Sequence, residues 1–266
     1  MKKKWKWSNL YLAIMILLMY FPLVMVVIFS FNESRLSANF TGFSLKWYET
    51  LANDRDLKEA LFNSILLGVL SCGISAVIGT LGAVGMARVK YKTKGMMEYF
   101  STIPIMIPEI ILGMVFLVFF SMLNLPFGMT TLVIAHTTFC IPYIFMMVKA
   151  RLVGIDKSLE EAARDLGAGP IRTFFDITMP LIAPAVLSGS LLAFAMSFDD
   201  VVISIFVNGP RLNTLPVKVY TQLKTGVTPE INALCTIILA AIVLVLGISS
   251  LVQKRQERRR GELSER

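Results

Sequence analysis

From Leu10 to Phe31 the chain carries no charged residue. At 1.5 Å of rise per helical residue the run covers roughly 33 Å, enough to cross a hydrocarbon core of about 30 Å. Five more apolar runs follow, approximately Leu61 to Ala87, Tyr99 to Met122, Thr130 to Val148, Pro184 to Val207 and Ile231 to Val252. A chain folding around one aqueous core has no need of such runs. The composition agrees, with 55% hydrophobic residues, 17% charged residues and a mean hydropathy of +0.68, where soluble domains carry about 25% charged residues. The expectation is an all-α integral membrane protein of six transmembrane helices, forming a single domain over residues 1–266. Cleavage of the first run as a signal peptide is not expected, because Ser30-Phe31-Asn32 is no small-residue cleavage site and the run exceeds the usual 7–15 residues.

Charge sets the orientation. Nineteen of the 26 Lys and Arg fall in the N-terminus, Arg88 to Lys94, Lys149 to Arg172 and the tail after Val252. Lys and Arg favour the cytoplasmic side, so both termini and those two loops are expected there. The outer face then receives Asn32 to Ala60, a turn near Pro126 and Gly128, and Asn208 to Glu230, with Trp47 and Tyr48 as interface anchors. The net charge of +8 does not point to nucleic acid, because its basic residues flank apolar runs; the tail over 253–266 is expected to contact anionic membrane lipid.

Cys72, Cys140 and Cys235 lie in three different runs, which offers no disulfide framework. His136, with Cys140 one turn on, supplies two metal ligands at best and reads as a satisfied core histidine. Ser71, Ser75, Gly79, Ala83 and Ala87 recur every four residues in the second run. Such a face of small side chains packs closely on another helix, within the chain or in a partner.

The segment Lys149 to Met179 is the longest inner loop and carries organised helical signals. Ser158 with Glu161 reads as a capping box, Gly167 as a helix end, and Pro170 as the opening of a second short helix. On that helix Ile171, Phe174 and Phe175 share one face. Periodicity alone allows this face either to meet a partner or to pack under its own bundle.

Glu161-Ala162-Ala163, then Gly167, Ile177 and Pro180 at their respective spacings, resembles the EAA loop of ABC importer permeases, with Met179 in place of the usual Leu. Phe43 to Tyr48, Phe198-Asp199-Asp200-Val201-Val202, Asn208-Gly209-Pro210, Leu215-Pro216 and Pro229 to Ala233 are similar to segments of the spermidine/putrescine permeases of the PotC type. The resemblance implies a type I importer permease fold. It further implies an ATPase subunit dimer docked on the loop over about 149–180 through Glu161, Ala162, Ala163, Gly167, Ile171, Phe174, Phe175, Ile177 and Pro180. A sister permease subunit and an extracytoplasmic polyamine-binding protein complete the implied assembly. The chain has no GxxxxGK[ST] loop, so no cofactor is expected on it, and ATP is expected to be used by the partner ATPase.

Glu109, Asp199 and Asp200 are the acidic residues within the predicted spans. A charge at mid-membrane costs on the order of 3 kcal/mol on insertion scales, so such residues line a cavity or meet a partner. They are the candidate substrate path for a polycation. For the Asp pair, a helix cap by Ser197 or Asp199 at a break in the fifth span is the other reading. Successive helical residues point about 100° apart, so Asp199 and Asp200 cannot both face the path. The functional expectation is a polyamine-importing permease subunit without its own ATPase. An ABC permease for another solute such as a metal cation is the alternative, and a channel or membrane scaffold would leave the EAA-like loop without a purpose.

Overall fold

The structure is a computed structural model that describes residues 7–34, 39–88, 92–156, 158–210, 212–226, 229–244 and 247. Helices follow in the order α1 (Trp7–Phe29), α2 (Lys46–Asn53), α3 (Arg55–Arg88), α4 (Lys94–Met106), α5 (Glu109–Met122), α6 (Met129–Val153), α7 (Ser158–Asp165) and α8 (Pro170–Thr173). A π turn over Phe174–Thr178 joins α8 to α9 (Met179–Asp199), and α10 (Val202–Val207), α11 (Leu215–Thr225) and α12 (Pro229–Leu244) complete the order. Among the described residues the only β pairing is an isolated bridge between Asn32 and Phe43.

Four helical segments are long and apolar enough to cross a membrane: Asn9–Phe29, Arg55–Arg88, Met129–Val153 and Pro170–Asp199. The expected third span is not one straight helix: α4 and α5 are long and apolar enough only together and meet at 102°, the form of a broken span or a re-entrant loop. Ile107 and Pro108 form the break with extended ψ values of 129° and 132°. Pro108 disfavours helical backbone at the residue before it. The described part of the expected sixth span is the shorter apolar helix α12; its predicted end at Val252 and the tail over 253–266 lie outside the described residues.

The described residues fall into two compact units, Asp56–Tyr220 and, separately, those up to Arg55 with those from Thr221. In the smaller unit the α1 side chains are exposed nearly all round, as on a helix solvated by lipid. Trp47 and Tyr48, expected as headgroup anchors, pack within their own unit. The Trp47 indole N–H donates to the Asn32 carbonyl at 2.6 Å, and the Tyr48 ring lies against Phe31 with centroids 5.2 Å apart. A buried indole N–H needs an acceptor, and the Asn32 carbonyl supplies it.

The larger unit is built around α6, on which Leu132, Ala135, Cys140, Ile144 and Val148 are fully buried. Ser71, Ser75, Gly79 and Ala83 of α3 are buried too. A Cβ built on Gly79 would stand 3.1 Å from the Ile141 carbonyl oxygen and 3.2 Å from the Phe145 nitrogen, so the small face meets α6 within the chain. The Ser75 hydroxyl donates to the Thr137 carbonyl at 3.1 Å across the same seam. From the other side Gly189 of α9 approaches Ile144. The Cys72 and Cys140 thiols donate to the carbonyls of Ser190 and Ala193 in α9. Phe206 of α10 seats over Gly113 of α5.

Candidate functional site

The loop between α6 and α9 is ordered by local caps. The Asp156 carboxylate accepts the Ser158 backbone N–H at 3.0 Å, and that bond holds the Asp156 carboxyl below its ordinary range. The cap is thus Asp156, and Ser158, expected as the cap, is the first helical residue of α7. At the other end the Gly167 N–H donates to Arg164 O and the Ala168 N–H to Ala163 O, with Gly167 at φ +86°. This is a Schellman closure, whose left-handed residue favours glycine, as the sequence led us to expect.

Pro170 opens α8 with an extended Gly169 before it. The expected separate second helix is instead the start of a continuous segment running through the π turn into α9. No breaker stands between Ile171 and Thr178. Pro180 lacks an N–H and crowds the carbonyl four residues back, and a wider turn relieves that crowding. The Met179 N–H accordingly donates to the Phe174 carbonyl, five residues back.

The register of this turn divides the three apolar residues expected on one face. Ile171 and Phe175 are exposed, whereas Phe174 is half-buried and packed on the core. Glu161, Ala162, Gly167 and Pro180 are exposed, and Ala163 and Ile177 are half-buried. Leu166, which sequence reasoning missed, is 89% exposed at the turn. Its position immediately before the terminating glycine was the available signal.

A polar clamp ties α7 to the bundle. Arg88 Nη2 stands 2.8 Å from both Glu160 Oε1 and Thr178 Oγ1, and the Thr178 hydroxyl donates to Glu160 Oε1 at 2.7 Å. Burial raises the Glu160 pKa, but the hydrogen bonds from Arg88 and Thr178, with the Arg88 and Arg164 charges, outweigh it and hold the carboxyl below its usual value. Its members come from α3, α7 and the π turn, so no local pattern announces them. Behind the clamp lies a cavity of about 200 Å³ bordered by Val84, Leu152 and Ile155.

The membrane acids separate. Asp200 is buried at the break between α9 and α10, where its carboxylate accepts the N–H groups of Ile203 (3.2 Å) and Ser204 (2.8 Å) and the Ser204 hydroxyl (2.8 Å). A break was expected; the residue capping beyond it is Asp200, not Ser197 or Asp199. Asp199 faces another way and is exposed. Glu109 is neither buried nor in mid-helix: it is exposed at the first position of α5, where the helix dipole favours a carboxylate. His136, wholly buried, has Nδ1 2.8 Å from Ser197 Oγ and Nε2 3.2 Å from Ser204 Oγ, with Asp200 Oδ2 at 3.4 Å. It is the satisfied core histidine expected. Among the described residues no group of three His, Cys, Asp or Glu side chains could hold a metal ion.

Residues 75–261 match the family described as binding-protein-dependent transport system inner membrane component. The chain belongs to that family. The permease is 38% identical over 261 residues to the putrescine transport system permease protein PotI of Escherichia coli K12, covering 96% of this chain and 93% of the relative. It is 38% identical over 236 residues to the spermidine/putrescine transport system permease protein PotC of the same strain, covering 89% of each chain. The fold matches that of a bacterial ABC transporter involved in the import of the acidic polysaccharide alginate, with a TM-score of 0.71 over 93% of this chain and 94% of that one at 17% identity. The resemblance to the spermidine/putrescine permeases therefore stands, and with it the type I permease fold and a membrane-embedded transport role.

Proposed function

We propose that this permease passes polyamines, spermidine or putrescine, across the cell membrane, and that Asp199 lies on their path. The observation that carries the substrate is the likeness over nearly the whole chain to permeases named for putrescine and for spermidine/putrescine transport. A flexible polycation in a low-dielectric bundle needs acceptors that offset its lost hydration, and carboxylates do so best. Asp199 is the exposed member of the Asp pair, its neighbour being taken up by the α10 cap. Glu109, also exposed, is the weaker second candidate.

In this reading residues 1–266 act as one permease domain with both termini in the cytoplasm. The chain binds no cofactor, and ATP is used by two partner ATPase subunits. They dock on the loop about Glu161, Ala162, Ala163, Gly167, Ile171, Phe175, Ile177 and Pro180, joined by Leu166. Phe174 supports the contact from within. A sister permease subunit and an extracytoplasmic polyamine-binding protein complete the assembly, anionic lipid meets the basic tail, and nucleic acid has no part. Exposed Leu166, Ile171 and Phe175 support the docking, since together they leave an apolar surface for a partner to cover. The test is uptake of labelled spermidine and putrescine into vesicles holding the full complex at matched assembly. Asp199→Asn keeps size and hydrogen bonding while removing the charge, and should lower uptake by about tenfold or more. Wild-type rates for both polyamines would overturn the path assignment.

A further inference from the structure

The His136 ring touches the chain on both sides of Asp199. On one side Nδ1 stands 2.8 Å from Ser197 Oγ in the last turn of α9; on the other Nε2 stands 3.2 Å from Ser204 Oγ in α10 and 3.4 Å from Asp200 Oδ2. Between these tethers the backbone leaves the helix, with Asp200 at φ −67°, ψ 123° and Val201 at φ −106°, ψ −39°. The ring belongs to α6, the most enclosed of the helices long and apolar enough to span, and is itself fully buried with Phe139 at 5.1 Å between centroids.

We infer that His136 is a positioning residue for transport. By gripping Ser197 and the Asp200–Ser204 cap at once, it fixes the angle at which α9 breaks, and so the direction in which the Asp199 carboxylate is presented. Asp200 still caps α10 through two backbone N–H groups without the ring. What the ring supplies is the tie to α6 at the break itself, the other polar ties from α6 lying farther along each helix, from Cys140 to the Ala193 carbonyl in α9 and from Thr131 to the Val207 carbonyl in α10. Removing it leaves α9 and α10 as helices, each still tied to α6 away from the break, but loosens the hinge between them. The inference rests on the path reading for Asp199, and its test separates the two.

The direct measurement is orientation. Asp199→Cys is placed in a background with Cys72, Cys140 and Cys235 replaced, in the full complex, and its labelling rate by a water-soluble thiol reagent is compared with and without His136→Phe, which keeps a ring and removes both tethers. A change of at least about threefold is expected. His136→Asn, which can keep the Ser197 contact, and His136→Gln, which can keep the Ser204 contact, should give intermediate rates. Unchanged labelling across all three variants overturns the inference whatever Asp199 does in transport. The second measurement is a double-mutant cycle in polyamine uptake. If His136 acts through Asp199, uptake falls in His136→Phe and in Asp199→Asn, and the double variant is no lower than Asp199→Asn alone. Losses that multiply make His136 a purely structural residue and overturn the inference while sparing the path. Normal uptake in Asp199→Asn sinks the path reading itself. Should His136→Phe fail to assemble, the same cycle is run with His136→Asn, and multiplied losses there are equally decisive.

Discussion

The seam between α3 and α6 allows a stability prediction from two glycines of one helix. A Cβ on Gly79 would meet Ile141 O at 3.1 Å, Ile144 Cβ at 3.2 Å and Phe145 N at 3.2 Å, whereas a Cβ on Gly73 meets nothing within 4 Å. Two of the three Gly79 contacts are backbone atoms of α6 and cannot swing aside. Gly79→Leu therefore forces the helices apart. Overpacking a tight core costs about 1–3 kcal/mol, and four added carbons in a seam already closer than van der Waals contact put this case near the upper end. Leucine returns up to about 0.8 kcal/mol in helix propensity, leaving a net loss of about 2 kcal/mol. For a compact unit of this size that lowers the midpoint by roughly 4–8 °C. Gly73→Leu gains the same propensity with no clash and should lie within about a degree of wild type or above it. Cys140 of α6 is fully buried, its thiol on the Ala193 carbonyl of α9, so with Cys72 and Cys235 replaced the temperature at which a fluorescent maleimide reaches it in detergent reports the opening of the helices packed around α6. Equal midpoints for the two variants would refute the packing argument.

Three further outcomes are expected. Gly167 sits at φ +86° with open space beyond its Cβ position, so Gly167→Asn, tolerant of the left-handed region, should keep more uptake than Gly167→Val; in uptake assays at matched membrane insertion, equal activity of the two would remove the turn from the coupling argument. Glu160→Gln weakens the clamp to Arg88 by about 1 kcal/mol, the Arg88 and Glu160 side chains being 27% and 21% exposed. Because the Glu160 carboxyl lies below its ordinary value, its contribution is complete above about pH 4.3 and disappears as pH falls through the folded value. Limited proteolysis of the loop should therefore separate wild type from variant at pH 7 and not in strong acid, and a difference that grows on acidification would contradict the sign. Finally, Lys46→Cys and Lys218→Cys should react with an impermeant thiol reagent on intact cells and Lys94→Cys only after permeabilisation, as the distribution of basic residues requires; the reverse pattern would invert the topology.

The apolar runs by themselves determined that this chain lives in lipid, because their length and lack of charge leave no other solvent. The spacing of Ser71, Ser75, Gly79 and Ala83 determined a close-packing face, since side-chain size and a four-residue period are local properties. Gly167 was legible as a left-handed helix end for the same reason, and Glu161 to Pro180 carried the family likeness. The tertiary structure alone decided that α6 covers the small face, that Phe174 turns inward while Leu166 stands out, and that Asp200 rather than Asp199 is consumed at the break. It also joined Arg88 to Glu160 across 72 residues and His136 to Ser197 and Ser204 across 61 and 68. A helical period states which residues share a face. It does not state how far a proline shifts the register, as the π turn before Pro180 does, nor which distant helix satisfies a buried polar group. Those outcomes are set by packing between helices far apart in sequence, where each polar atom removed from water must find its partner in whatever neighbour the fold brings.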